Sequence, residues 1–147
     1  MGGYRTVVVG TDGSDSSLRA VDRAGELACG MDARVIVATA YSPLQVDLIA
    51  PEAGEDSADE DAGNAPIFQM LRGAADRAKA AGATTVEERA IVGTPAEALV
   101  DLAVEVGADL VVVGNVGLNT IAGRLLGSVP ADVARRAKAD VLIVNTT

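Results

Sequence analysis

Five short runs rich in valine and isoleucine punctuate this chain: Thr6 to Val9, Val35 to Ala40, Val86 to Ile91, Leu110 to Val113 and Val141 to Val144. Such runs predict strands covered on both faces, as parallel strands are. Between them the apolar positions change to a helical period. Leu18, Val21, Ala24, Leu27 and Ala28 mark one face of a helix that starts near Ser14 and stops at Gly30. Ile67, Leu71, Ala74, Ala78 and Ala81 mark a second, entered at Pro66 and closed by Gly82. The third begins with Thr94 as N-cap, Pro95 at the first helical position and Glu97 three residues after the cap, the pattern of a capping box, and ends at Gly107. A fourth runs from about Ser128 to Ala137, with Arg135, Arg136 and Lys138 near the end where the helix dipole favours cations.

Strand and helix alternating throughout predict an α/β fold, a single open parallel sheet with helices on both faces joined by right-handed crossovers. Ligands of such sheets sit beyond the carboxyl ends of the strands, where the strand order reverses. Two strand ends carry glycine. One is Val9-Gly10-Thr11-Asp12-Gly13-Ser14; the other is Gly114-Asn115-Val116-Gly117, then nine further residues, then Gly127-Ser128. Closely spaced glycines after a buried strand let backbone N–H groups approach an anion, and Ser128 before the last helix would add the orphan amides and positive dipole end of that helix. The same residues also suit an ordinary strand-to-helix turn and an ordinary N-cap. The pattern is not a Walker loop, because Leu126 precedes Gly127 and no lysine lies between Gly114 and Ala137. Asp12 has two roles open to it, an acceptor for a ribose or base amine, or a turn residue ahead of Ser14.

At 147 residues and 49% hydrophobic content the chain is expected to form one domain, residues 1–147. No apolar stretch approaches the length of a membrane span, no signal peptide precedes the first strand, and the single cysteine, Cys29, excludes an internal disulfide, so a cytoplasmic protein is expected. Cys29 is expected to be a buried structural thiol. The net charge is −9, but six of the 21 acidic residues, Glu52, Glu55, Asp56, Asp59, Glu60 and Asp61, lie together between Pro51 and Gly63 without a basic partner. The other 15 face 12 basic residues, so the excess belongs to one segment, about 42–65, expected to be a solvated mobile loop. Its spacing is not that of an EF-hand, and no metal site is expected. A chain with no basic stripe, two tyrosines, one phenylalanine and no tryptophan lacks the apparatus for nucleic acid. Zero histidines exclude imidazole chemistry, and no other paired catalytic groups stand out.

The two glycine motifs, at opposite ends of one α/β chain, resemble the nucleotide-binding class of the universal stress protein family, and the similarity spans essentially the whole sequence. The resemblance implies a Rossmann-like sheet of order 3-2-1-4-5, akin to the adenine nucleotide alpha hydrolases, and a homodimer paired through the last strand, Val141 to Val144. It implies an adenine nucleotide ligand. Gly10, Thr11 and Asp12 would contact adenine and ribose, with Ala40 lining the base pocket. Gly114, Asn115, Val116, Gly117, Gly127, Ser128 and Val129 would surround the phosphate, and Arg124 would pair with it unless it is a solvated surface charge. In that family positions 115 and 116 often carry a hydroxyl and a basic or polar residue, and Thr or Ser is common at Pro130, so this chain offers a polyanion fewer side-chain partners. A triphosphate brings about four negative charges against one for a cyclic monophosphate. Cyclic AMP is therefore expected to bind in preference to ATP, with Mg2+ involved only alongside ATP, in a non-catalytic sensor or buffer of the stress response. Two alternatives remain at this stage, an ATP-binding protein with slow ATPase or autophosphorylation activity, and a nucleotide-free dimer acting through protein contacts.

Overall fold

The computed structural model describes residues 3–41, 65–115 and 128–146. Along the chain these form β1 (Thr6–Gly10), α1 (Asp15–Met31), β2 (Arg34–Tyr41), α2 (Ala65–Ala81), β3 (Thr85–Val92), α3 (Pro95–Val106), β4 (Leu110–Gly114), α4 (Ser128–Arg136) and β5 (Asp140–Val144). The sheet has the order β3-β2-β1-β4-β5 with every pair parallel. All five expected strands and all four expected helices are present, in the expected order. The acidic segment lies outside the described residues, apart from Ala65 at the start of α2.

Period-two alternation divides the strands between two cores. Val7 and Val9, Val35 and Val37, Leu110 and Val112 face α1 and α2, meeting Ala20, Val21, Ala24, Leu71, Ala74 and Ala78. Val8, Ile36, Ala38, Val111 and Val113 face the other side, meeting Leu99 and Leu102 of α3 and Val133 of α4. An uninterrupted valine run is thus what a strand with no wet face requires. The expectation of full coverage holds for β1, β2 and β4 and fails at the margins. On β3, Thr85, Glu88 and Val92 are exposed, as are Asp140 and Ile143 on β5, because each edge strand has a neighbour on one side only. The charges on β3 discourage another strand from adding there.

Helix ends follow local chemistry with three departures. The first helix starts next to Ser14 as expected, and Ser14 caps it, its side chain accepting from Ser17 N–H. The helix passes Gly30 and stops one residue later, with Asp32 left-handed at φ 54°. Aspartate tolerates that region, and the reversal places Ala33, buried, under the end of the helix, where its N–H reaches Ala28 O at 3.1 Å. Thr94 has N-cap backbone geometry, but its side chain makes no capping bond, so the capping box is not closed. Glu97 lies instead 3.8 Å from Arg136, linking α3 to α4. Ser128 is the first residue of α4 and not a residue preceding it. Cys29 is exposed, contrary to the buried thiol expected: it falls one position past buried Ala28, which turns it from the α1 face that meets the sheet.

Two close approaches set the layer over the first core. A Cβ on Gly25 would meet Ala78 O at 2.5 Å and the Ala81 Cβ at 2.8 Å, so α1 and α2 touch backbone to backbone at this point. Arg77 of α2 adds a two-pronged ion pair to Asp22 of α1, with Nε 3.0 Å from Oδ1.

Candidate functional site

The strand order reverses at β1: α1 carries the chain to β2 on one side, and β4 enters later on the other. Gly10 and Gly114 therefore end neighbouring strands, just beyond the last registered pair, Val9 and Val112. Both are buried. Ala40, half-buried near the end of β2, stands two residues past the partner of Gly10 on that strand, Ala38. These residues form one edge of the molecule, at the crevice where a doubly wound sheet takes its ligand.

The turn from β1 to α1 is wired internally. Thr11 N–H continues the ladder to Ala38 O at 2.9 Å. Its hydroxyl is buried, 2.8 Å from Ser17 Oγ, and accepts from Gly13 N–H at 3.0 Å. Ser17 Oγ donates its proton to Ser14 O at 3.0 Å, so in the pair with Thr11 it is the threonine that donates. Ser17 Oγ also accepts Asp12 N–H at 3.3 Å, and Asp12 Oδ1 accepts Ser14 N–H at 2.9 Å. All four amides from Thr11 to Ser14 are thus engaged. Asp12 closes the turn with one carboxylate oxygen, the second of its two expected roles, yet remains exposed, so a ligand still meets a negative acceptor there. What this turn offers a ligand is a hydrogen-bonded wall and a carboxylate, whereas its amides are committed.

At the end of β4, Asn115 N–H donates to Val144 O at 2.9 Å. The Asn115 side chain turns to the segment after β5. Its Oδ1 accepts both Thr146 N–H at 3.0 Å and Thr146 Oγ1–H at 2.8 Å, and its Nδ2 donates to Asn145 Oδ1 at 3.3 Å. Gly114 sits close among its neighbours: a Cβ would stand 3.3 Å from Ser16 Oγ, which would have to give slightly, and 3.4 Å from Thr146 Cγ2.

Donors for an anion remain in the first turn of α4, whose N–H groups have no intrahelical partner. Ser128 and Val129 begin that turn. Val129 packs its side chain against the second core, seating the helix on the sheet and leaving its backbone to meet a ligand. Pro130, third in the helix, has no N–H and removes one donor from the set. Val116, Gly117, Arg124 and Gly127 lie outside the described residues. No group of three or more potential metal ligands occurs among the described residues. The sequence reading did not single out Ser16, Ser17 or Thr146. Register offers the clue to the last: Gly114 pairs with Val144, so the residues just beyond them, Asn115 and Asn145, must also be neighbours.

The universal stress protein family profile matches residues 3–145. The chain is 62% identical over all 147 residues to the universal stress protein Rv1636 of Mycobacterium tuberculosis strain H37Rv, covering the full length of both. A universal stress protein solved in complex with cAMP is 62% identical and superposes with a TM-score of 0.77 over 99% of this chain and 100% of that one. The universal stress protein of Archaeoglobus fulgidus in complex with dAMP, 27% identical, superposes with a TM-score of 0.68 over 95% of this chain and 97% of the other. No helix among the described residues is long and apolar enough to cross a membrane. With the family profile matched over residues 3–145 and 62% identity along the full length of a universal stress protein, the chain belongs to the universal stress protein family.

Proposed function

We propose that this protein binds an adenine nucleotide at the carboxyl edge of its sheet, prefers cyclic AMP to ATP, and acts in the cytoplasm as a non-catalytic sensor or buffer of that nucleotide in the stress response. The observation that carries the reading is the full-length likeness, at 62% identity, to a universal stress protein solved with cAMP. In this reading Gly10, Thr11 and Asp12 form the wall against adenine and ribose, with the Asp12 carboxylate accepting from ribose hydroxyls, and Ala40 lines the base. Gly114, Gly117, Gly127, Ser128 and Val129 hold the phosphate, with the first-turn amides of α4 as donors and Arg124 as the cation. Asn115 and Val116 complete the motif without adding charge.

The preference follows from charge. A cyclic monophosphate brings one negative charge to a site with one candidate cation and a proline among its amides, and a triphosphate brings about four. Mg2+ enters only to screen that excess. The protein acts as a homodimer through the edge strand β5, whose Ile143 is 44% exposed and so leaves an apolar side chain for a partner to cover. Calorimetric titration with cyclic AMP and with ATP, each with and without Mg2+, tests the reading. Tighter binding of cyclic AMP is expected, equal or tighter binding of ATP overturns the preference, and no binding of either overturns the site.

A further inference from the structure

We propose that Thr146, in the segment after β5, is a positioning residue for the nucleotide site, setting through Asn115 the place where the chain leaves β4; the inference rests on the adenine-nucleotide reading above. Asn115 follows Gly114 at the point where β4 gives way to the glycine motif. Its side chain has a fixed orientation, since the oxygen must be the atom facing Thr146 N–H and the nitrogen the one facing Asn145 Oδ1.

Thr146 is only 5% exposed and satisfies every polar atom it brings inside. Its N–H and hydroxyl proton both go to Asn115 Oδ1. A hydroxyl has one proton, so in the 2.6 Å contact between Thr146 Oγ1 and Ser16 Oγ the serine donates. Arg19 Nη1 donates to Thr146 O. One residue thus joins the end of β4 to the first turns of α1, and its Cγ2 would be in van der Waals contact, at 3.4 Å, with a Cβ on Gly114.

A nucleotide reaching from the β1–α1 turn to the motif after β4 reads the spacing between them. That spacing is held here by a chain of directed hydrogen bonds that runs from half-buried Ser16 through buried Thr146 to exposed Asn115. Sites of this kind need their supporting groups fixed to within about half an ångström. Asn115 therefore serves the site through Thr146 and Asn145 and not by side-chain contact with the ligand.

The test uses the full chain with cyclic AMP as probe, and compares Thr146→Val, which keeps the shape and loses the hydroxyl, with Thr146→Ser, which keeps it. Affinity is read by calorimetry well below the urea midpoint of each variant, and amide exchange at Asn115 is read by NMR without ligand. Thr146→Val is expected to weaken cyclic AMP binding about fivefold to tenfold and to speed Asn115 exchange, with Thr146→Ser restoring both. Ser16→Ala, which removes the donor to Thr146, is expected to shift both in the same direction by about twofold to threefold, and it decides the matter if Thr146→Val does not fold. Wild-type affinity in these hydroxyl-deletion variants, whatever their loss of stability, overturns the proposal. If the unaltered protein binds neither cyclic AMP nor ATP, the nucleotide reading fails by itself, and unchanged Asn115 exchange in the variants then overturns the positioning role separately.

Discussion

Tyr4 and Asp140 meet far from the candidate site, at the opposite end of the sheet, where the tyrosine hydroxyl donates to Asp140 Oδ2 at 2.8 Å. That hydrogen bond, with desolvation and the nearby negative charges of Asp140 and Asp109, raises the Tyr4 pKa above its ordinary value of 10.0. A pKa raised by folding means that the contact stabilises the protein fully below the unfolded value and is lost as pH rises through the folded one. In a Tyr41→Phe background, where Tyr4 is the sole tyrosine, ultraviolet titration is expected to place its midpoint above 10.0, and Asp140→Asn is expected to bring it down; an unmoved midpoint refutes the pairing. Single residues are also where the sequence was hardest to interpret. Cys29 was misplaced because a helical period locates a face but fixes its edges only to within about a residue, and the thiol lies just beyond that edge. Thr146 was invisible for another reason. Its partners Ser16 and Asn115 stand 130 and 31 residues away, and only the folded sheet brings them together.

Elements were the legible level, because their signals are local and repeat. The apolar runs located every strand, and the helical period located α1 and α2, with end signals locating α3 and α4, all to within a residue or two. What failed were termini decided by side-chain choices, and these separate under mutation. Ser14→Ala removes a cap that is made and is expected to cost about 1 kcal/mol. Thr94→Ala removes one that is not made and is expected to cost less than about 0.5 kcal/mol. Urea denaturation of the two variants checks the contrast, and equal losses would mean that the Thr94 side chain caps α3 in solution. A similar measurement probes the contact between α1 and α2. Gly25→Ala places a methyl 2.5 Å from a backbone carbonyl and is expected to destabilise by about 1–3 kcal/mol even though alanine is the better helix former.

At the scale of the whole molecule, fold class and the convergence of two glycine-bearing strand ends at one end of the sheet, where the candidate site lies, could be reasoned from alternation, since topology dictates where such ends converge. The division of labour within the site could not. The amides of Asp12, Gly13 and Ser14 turn inward to their own loop and its helix start while Thr11 N–H goes to β2, which no spacing rule records. A ligand selective for the native state raises stability by mass action, so cyclic AMP at a hundred times its Kd is expected to add about 2.7 kcal/mol to the unfolding free energy. A melting temperature that ignores saturating cyclic AMP contradicts the proposed binding. For the proposed dimer, Ile143→Glu is expected to yield monomers in sedimentation velocity without unfolding the sheet, and a persistent dimer would place the interface elsewhere. The inward wiring of the first turn carries a kinetic corollary. A receptor wall already complete before its guest arrives exacts no ordering penalty, so encounter and accommodation at that wall merge into a single event, and any lag seen on rapid mixing must originate in another part of the chain.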